Sequence, residues 1–357
     1  MLKRSISLAV VLLAQWNAKV TLAETGQAEN APPNWETPTL GGLQYWADEK
    51  VYYDYRIQRH VDTGHYRLLD GREERYAWGT FEQCDAKLEE FKKTYKLAPL
   101  PKHVVLVLHG MARTRHSMTP IAQHLRDNGK YVVLQVGYPS TQESIPEHAA
   151  TLGRLIRRLD GVESIDVVAY SMGNLVTRHW LGDVAAAAGA NANAAQAANG
   201  GAELAGPAIA GARQPALPKL RRYVMLGPPN NGAQRANLWA DSQFNGLFKM
   251  VVGEGGEQLG PRFNEIKPRL AVPDCEFGII AGGKGDGKGW HDGITGDDDG
   301  TVAVAETQIP GAADFTVVPV RHMKLITDQD NLRRTLNFLN HGHFASAEQR
   351  NPLPRTP

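Results

Sequence analysis

Three residue types in one order along the chain could carry out nucleophilic chemistry. Ser171 lies in "VVAYSMGN" (167–174), at the end of an apolar run, with Ala169 two residues before it and Gly173 two after. A serine placed there is either the nucleophile of a sharp strand-to-helix turn or the cap of an ordinary helix. Its hydroxyl is a poor nucleophile at neutral pH, so the first role needs a base in hydrogen-bond reach and a carboxylate to orient that base. "VVPVRHMKL" supplies His322 at the end of the last apolar run, and "GDDDGTV" (296–302) supplies acids between the two. Asp299 stands directly before Gly300, where a tight turn can point its carboxylate inward. Asp298 is the alternative and Asp297 the third acid of the run. His291 precedes the acids and breaks the order serine, acid, histidine, and His341 and His343 fall in a polar C-terminal stretch. The chemistry would be attack on a carbonyl carbon with a covalent acyl intermediate. The developing oxyanion needs backbone donors. The amide after the serine, Met172, is one. Met111, in "HGM" after another apolar run, is the second, with Gly110 letting the backbone approach and His109 bracing the loop.

These residues require strands that end beside one another. From residue 102 such a rhythm begins: "HVVLVLHG", "YVVLQVGYP", "IDVVAYSMG", "RRYVMLGPPN", "CEFGIIAGG" and "DFTVVPVRH" are uninterrupted apolar runs. "TPIAQHLRDNG", "IPEHAATLGRLIRRLDG" and "NLVTRHWLGD" lie between them as helices, the first stopping at Gly129 and the second with proline near its start and glycine after its end. Alternation of this kind predicts an α/β fold, a mostly parallel sheet covered by helices on both faces. Residues 40–100 predict a small N-terminal β-α extension: "VYYDYRIQRH" and "HYRLLDG" read as strands about a turn at Asp62-Thr63-Gly64, and "FEQCDAKLEEFKKTYKL" reads as a helix. The alanine-rich stretch 185–218 reads as a low-complexity surface insertion or a lid. Residues 233–262, with Trp239, Phe244, Leu247, Phe248 and Met250, could cap the serine and face an acyl chain, or pack on the core. Residues 346–357 read as a flexible tail. The acid-rich segment 285–300 could also be a solvated loop or a calcium site, though it lacks the twelve-residue calcium-loop spacing.

Composition narrows the partners. The chain has 357 residues, 39 basic against 38 acidic, and a net charge of +1, so nothing predicts a nucleic-acid surface. Lys3, Arg4, the apolar Ile6–Ala14 and the small residues at Thr21-Leu22-Ala23 have the shape of a cleaved secretory signal over 1–23, followed by a polar linker over 24–39. The protein is then expected outside the cytoplasm, periplasmic or secreted. Export would permit a disulfide between Cys84 and Cys275, and two separate thiols are the default.

"VVLVLHGMARTRHSM", "VVAYSMGNLVTR", "VMLGPPNNGA", "DDGTVAVAETQIPGAADF" and "VPVRHMKLI" together resemble the α/β-hydrolases, close to the bacterial lipase and esterase branch, over residues 101–345. By this resemblance Ser171, Asp299 and His322 would be the catalytic triad, and the Met111 and Met172 amides the oxyanion donors. The expected activity is hydrolysis of a small-molecule or lipid carboxylic ester, with no cofactor, no metal and no obligate protein partner. An acyltransferase using the same triad and a non-catalytic binding protein on this fold are the alternatives.

Overall fold

The charged segment "WADEKVY" forms the first strand of the described residues. In the computed structural model, which describes residues 42–199, 217–240 and 253–355, the first elements are β1 (Trp46–Tyr52), β2 (Tyr55–His60), β3 (Tyr66–Leu69) and β4 (Arg75–Gly79), followed by α1 (Phe81–Thr94). Then come β5 (His103–Leu108), α2 (Thr119–Gly129), β6 (Val133–Val136), α3 (Ile145–Arg157), β7 (Ser164–Tyr170) and α4 (Gly173–Asn199). The last elements are β8 (Lys219–Leu226), α5 (Gln234–Ala240), β9 (Glu276–Gly282), β10 (Asp314–Val318) and α6 (Gln329–His341). The segments 1–23 and 24–39 lie outside the described residues.

The six apolar runs form one sheet in the order β10-β9-β8-β7-β5-β6. All its pairings are parallel. Alternate residues of β5 go to opposite faces, Val104, Leu106 and Leu108 into one core and Val105 and Val107 into another. α3 covers the first face, while α2 and α6 cover the second. Burial on both faces is why these strands read as unbroken apolar runs. This is the α/β-hydrolase architecture, a parallel sheet flanked by helices with an antiparallel sheet added at its N-terminal side.

The first sheet is an antiparallel meander, β1-β2-β3-β4. Its strands differ from the expected ones. "VYYDYRIQRH" is not one strand: the chain turns at Tyr53, whose φ is +53°, so β1 ends at Tyr52 and β2 starts at Tyr55. β1 carries Asp48, Glu49 and Lys50, all buried. Each is paired. Asp48 accepts from Arg56 Nη1 (2.6 Å), Gln58 Nε2 (2.8 Å) and the Gly137 amide (2.7 Å). Glu49 accepts from Arg59 Nε (3.2 Å), Arg154 Nη2 (2.8 Å) and Arg158 Nη1 (2.6 Å). Lys50 Nζ donates to Asp85 (2.7 Å). These pairs fasten the meander to α1, α3 and the end of β6.

Three other expectations change. The alanine-rich stretch does not simply separate a helix from a strand, because α4 runs on through it to Asn199, and residues 200–216 lie outside the described chain. The C-terminal tail is not free. Asn351 N donates to Asp314 Oδ1 (3.0 Å), Phe315 N to Asn351 O (2.9 Å) and Leu353 N to Ala312 O (2.9 Å), so 351–353 run beside β10. His341 is not in a tail but ends α6, before the left-handed Gly342. Cys84 and Cys275 are both free thiols, and burial pushes each up to about 12. No helix among the described residues is long and apolar enough to cross a membrane.

A buried carboxylate held by several guanidinium groups leaves uncompensated charge when it is removed, at a cost of about 3–5 kcal/mol. Glu49→Ala is therefore expected to lower unfolding stability by about 3 kcal/mol in urea titration. A loss below about 1 kcal/mol would show that the cluster does not anchor the meander.

Candidate active site

Ser171 lies between the last residue of β7 and the first turn of α4, with φ of +53°. A non-glycine residue seldom adopts this left-handed conformation, which costs about 1–2 kcal/mol. The surroundings hold it there. Its amide donates to Leu226 O (2.9 Å), and its carbonyl accepts from Asn174 N and Nδ2, each at 3.0 Å. Asn174 Oδ1 in turn accepts from the buried Tyr223 hydroxyl (2.9 Å). The turn brings Gly173 against β5: a Cβ there would stand 2.7 Å from the His109 carbonyl oxygen. That contact is the physical reason for a small residue two places after the serine. Ala169 is fully buried inside β7.

The sheet brings the other two residues to this point. His322 follows β10, and its Nε2 lies 3.0 Å from Ser171 Oγ. Its Nδ1 lies 2.6 Å from Asp299 Oδ2. The His322 amide donates to the Asp299 carbonyl (2.9 Å), and Tyr170 Oη donates to the His322 carbonyl (3.2 Å). The ring needs the end of β8 to be bare: a Cβ on Gly227 would approach His322 Nδ1 to 3.0 Å. Asp299 Oδ1 accepts from Thr301 N (2.9 Å) and Val302 N (2.8 Å), leaving Oδ2 for the histidine. All three side chains are buried, Ser171 8%, His322 6% and Asp299 1% exposed.

The neighbouring acids do something else. Asp298 accepts from Gly300 N (2.5 Å) and His291 N (3.3 Å), and Asp297 from Lys284 N (2.7 Å) and Gly285 N (2.9 Å). Asp297, Asp298 and Asp299 each close a different part of the loop, while residues 285–288, 292–293 and 295–296 are exposed, so the stretch is a solvated loop held by its own carboxylates. Among the described residues, no cluster of three or more His, Cys, Asp or Glu is placed to hold a metal ion. His291 accepts from the Gly293 amide at Nδ1 (3.1 Å), while His341 and His343 stack on each other at 5.7 Å, so these histidines are engaged away from Ser171.

Met111 lines the cavity at Ser171, and Met172 is buried directly after it. Neither backbone N–H donates to another group among the described residues, which leaves both open to a ligand oxygen. His109 is fully buried behind them. Its Nδ1 lies 2.9 Å from Gly110 O, its ring stacks on Tyr138 at 4.1 Å, and its carbonyl accepts from the Tyr138 hydroxyl.

The Ser171 hydroxyl opens on a cavity of about 240 Å³. Met111, Ala233, Leu259 and Met323 make much of its wall apolar, while Arg113 and Arg235 bring charge to it. The sequence reading assigned neither arginine a role. The only signal is position: Arg113 is two residues past Met111, and Arg235 is two residues past the end of "LGPPNNGA". Of the expected cap, Phe244, Leu247, Phe248 and Met250 lie outside the described residues, and Trp239 is described by backbone alone.

No protein-family profile and no curated protein matches the sequence. Solved structures do match. The mature Bacillus licheniformis lipase BlEst2 aligns with 69% of this chain and 94% of its own, at 17% identity and TM-score 0.47. Phospholipase PlaB from Legionella pneumophila aligns with 58% of this chain and 45% of its own, at 17% identity and TM-score 0.40. A lipase-esterase related protein from Clostridium acetobutylicum aligns with 68% of this chain and 97% of its own, at 10% identity and TM-score 0.37. The assignment of the fold rests on the strand order and on the Ser171 turn.

Burial pushes the His109 imidazole down from 6.5 to about 4. Its ring stays neutral in the fold, whereas the unfolded chain takes up a proton near 6.5. Below that pH the unfolded state binds more protons, so stability falls as pH drops from 6.5 towards 4. At pH 4.5 the expected loss from this group is about 2–3 kcal/mol. Urea unfolding at pH 7 and pH 4.5 should show a smaller loss in His109→Gln than in wild type. Equal losses would assign the acid sensitivity to other groups.

Proposed function

We propose that the protein is a serine hydrolase that cleaves carboxylic esters through an acyl-enzyme on Ser171. One observation carries the reading: the continuous hydrogen-bonded line from Ser171 Oγ through His322 to Asp299 (3.0 and 2.6 Å), set on a left-handed turn at the mouth of a cavity. A capping serine needs neither the histidine nor the strained backbone.

In this mechanism His322 Nε2 takes the Ser171 proton as Oγ attacks the ester carbonyl carbon. The carbonyl electrons move onto oxygen, and the Met111 and Met172 amides receive the negative charge; each such donor is worth on the order of 10²–10³ in rate. The tetrahedral adduct collapses, and the alcohol leaves with the proton returned from His322. A water molecule then gives a proton to His322, attacks the acyl carbon, and releases the acid and the free serine. Asp299 holds the imidazole in the tautomer that presents a bare Nε2 to the serine and stabilises the imidazolium. The apolar wall suits the acyl part of the ester. We place this chemistry outside the cytoplasm, on the shape of residues 1–23.

A fluorophosphonate probe is expected to label the wild type and not Ser171→Ala, and Ser171→Ala should lower p-nitrophenyl ester cleavage by at least about four orders of magnitude. Labelling that survives the substitution would remove Ser171 as nucleophile. Product analysis with added alcohols separates hydrolysis from transfer: the free acid should dominate, and a new ester as main product would make the protein an acyltransferase. Asp299→Asn should lower kcat about 10³–10⁴-fold. Asp298→Asn should stay within about tenfold of wild type while lowering the melting temperature, since that carboxylate holds the loop and not the histidine. The reverse pattern would assign the acid to Asp298.

A further inference from the structure

Arg113 and Arg235 both line the cavity at Ser171, and among the described residues neither has a counter-ion. Arg113 comes from the loop after β5, and Arg235 from the first turn of α5. Among the described residues neither meets a carboxylate: Arg235 donates to the Gly300 carbonyl, and Arg113 is half-buried with no ion pair. Among the described residues, no Asp or Glu lines the cavity. Glu254 and Glu257, which flank the lining residue Gly256, turn to Arg262 instead (2.9 and 3.5 Å). Nearby arginines are treated differently by the fold. Arg115, two residues on, pairs with Glu73 at 2.5 Å, and the buried Arg56 pairs with Asp48 at 2.6 Å.

Charge withdrawn from water is normally paired, because an uncompensated cation against an apolar wall is unfavourable. Two half-buried cations from separate elements on the wall of one cavity, the same wall that Ser171 and His322 line, suit an anion there. Guanidinium groups also match the geometry of carboxylate and phosphate oxygens. We infer that Arg113 and Arg235 form an anion clamp, and that the preferred substrate is an ester carrying a negatively charged oxygen group, carboxylate or phosphate, within a few bonds of the scissile carbonyl. The inference rests on the ester-hydrolase reading of Ser171. It explains why an otherwise apolar acyl pocket contains charge.

The test compares kcat/KM for chain-matched pairs. One pair is p-nitrophenyl pentanoate and mono-p-nitrophenyl glutarate; the other is dibutyrylglycerol and its 3-phosphate. Wild type should prefer the charged member of at least one pair by about tenfold or more, since hydrogen bonds to charged groups reach that size. The pair that responds identifies carboxylate or phosphate as the anion. The preference should shrink at high salt. Arg113→Gln should lower the charged-to-neutral ratio about tenfold, and Arg113→Lys should restore part of it. Arg235→Gln should do the same. If that variant fails to fold because its bond to Gly300 is lost, Arg113→Gln still decides. A ratio of one or less in both pairs overturns the clamp, as does a preference that Arg113→Gln leaves intact. Labelling by a neutral fluorophosphonate and cleavage of the neutral pentanoate report on Ser171 separately. If both persist while the ratio is flat, only the clamp falls. If both are absent, the hydrolase reading falls and the clamp with it.

Discussion

The left-handed backbone at Ser171 is the constraint on which the rest of the site depends. A residue with φ of +53° reverses the chain between β7 and α4 within one step. That reversal brings Ser171 to the wall of the cavity and drives Gly173 against the His109 carbonyl. The strain of about 1–2 kcal/mol must be offset locally. The bonds to Leu226 and Asn174 do so, with Asn174 itself held by the Tyr223 hydroxyl, and all three residues are buried in the sheet or in the helix behind it. Relaxing the turn would break several buried hydrogen bonds at once, which is why the conformation is held.

A parallel sheet makes the remaining placements possible. β7, β8, β9 and β10 all end at the same edge, so loops far apart in sequence converge there. The loop after β9 carries Asp299 and the loop after β10 carries His322, joined by a backbone bond as well as the side-chain contact. Three adjacent aspartates divide the work of that loop. Asp297 and Asp298 fold it, and their amide contacts set the turn from which Asp299 reaches the imidazole. A run of like charges is tolerated because each carboxylate receives its own backbone N–H groups.

Much of this was legible in the sequence, for one physical reason. Strands buried on both faces are apolar along most of their length, so β5 to β10 stand out as apolar runs against which the site residues can be ordered. What was not legible was whatever depended on pairing at a distance. β1 contains Asp48, Glu49 and Lys50 in succession, a pattern that hydropathy reads as surface. It is buried because Arg56, Arg59, Arg154, Arg158 and Asp85 come from elsewhere to meet it. The docking of 351–353 beside β10 is likewise a backbone event, invisible in a polar, proline-bearing segment. Arg113 and Arg235 escaped notice because a lone arginine in a loop is ordinarily a solvated side chain; only the cavity distinguishes them.

The N-terminal extension, which the family-like motifs do not reach, is tied to the loop that bears Met111 and Arg113. Gln44 Nε2 donates to the Arg113 carbonyl (2.9 Å). Glu73, from the turn between β3 and β4, holds Arg115 and His116 at 2.5 and 2.8 Å. Asp48 takes the Gly137 amide, and the next residue, Tyr138, stacks on His109 and bonds its carbonyl. Three routes thus run from one small sheet to the segment 109–116. A loop that lines a cavity at fixed geometry needs such support, since loops on their own are mobile. The buried charges of β1 follow from the same demand. Ion pairs of fixed geometry specify one register and one docking position, where an apolar strand would allow several. The extension is therefore best understood as the rigid backing of the segment 109–116 beside Ser171, and the burial of Asp48 and Glu49 as the means by which that backing is held in place.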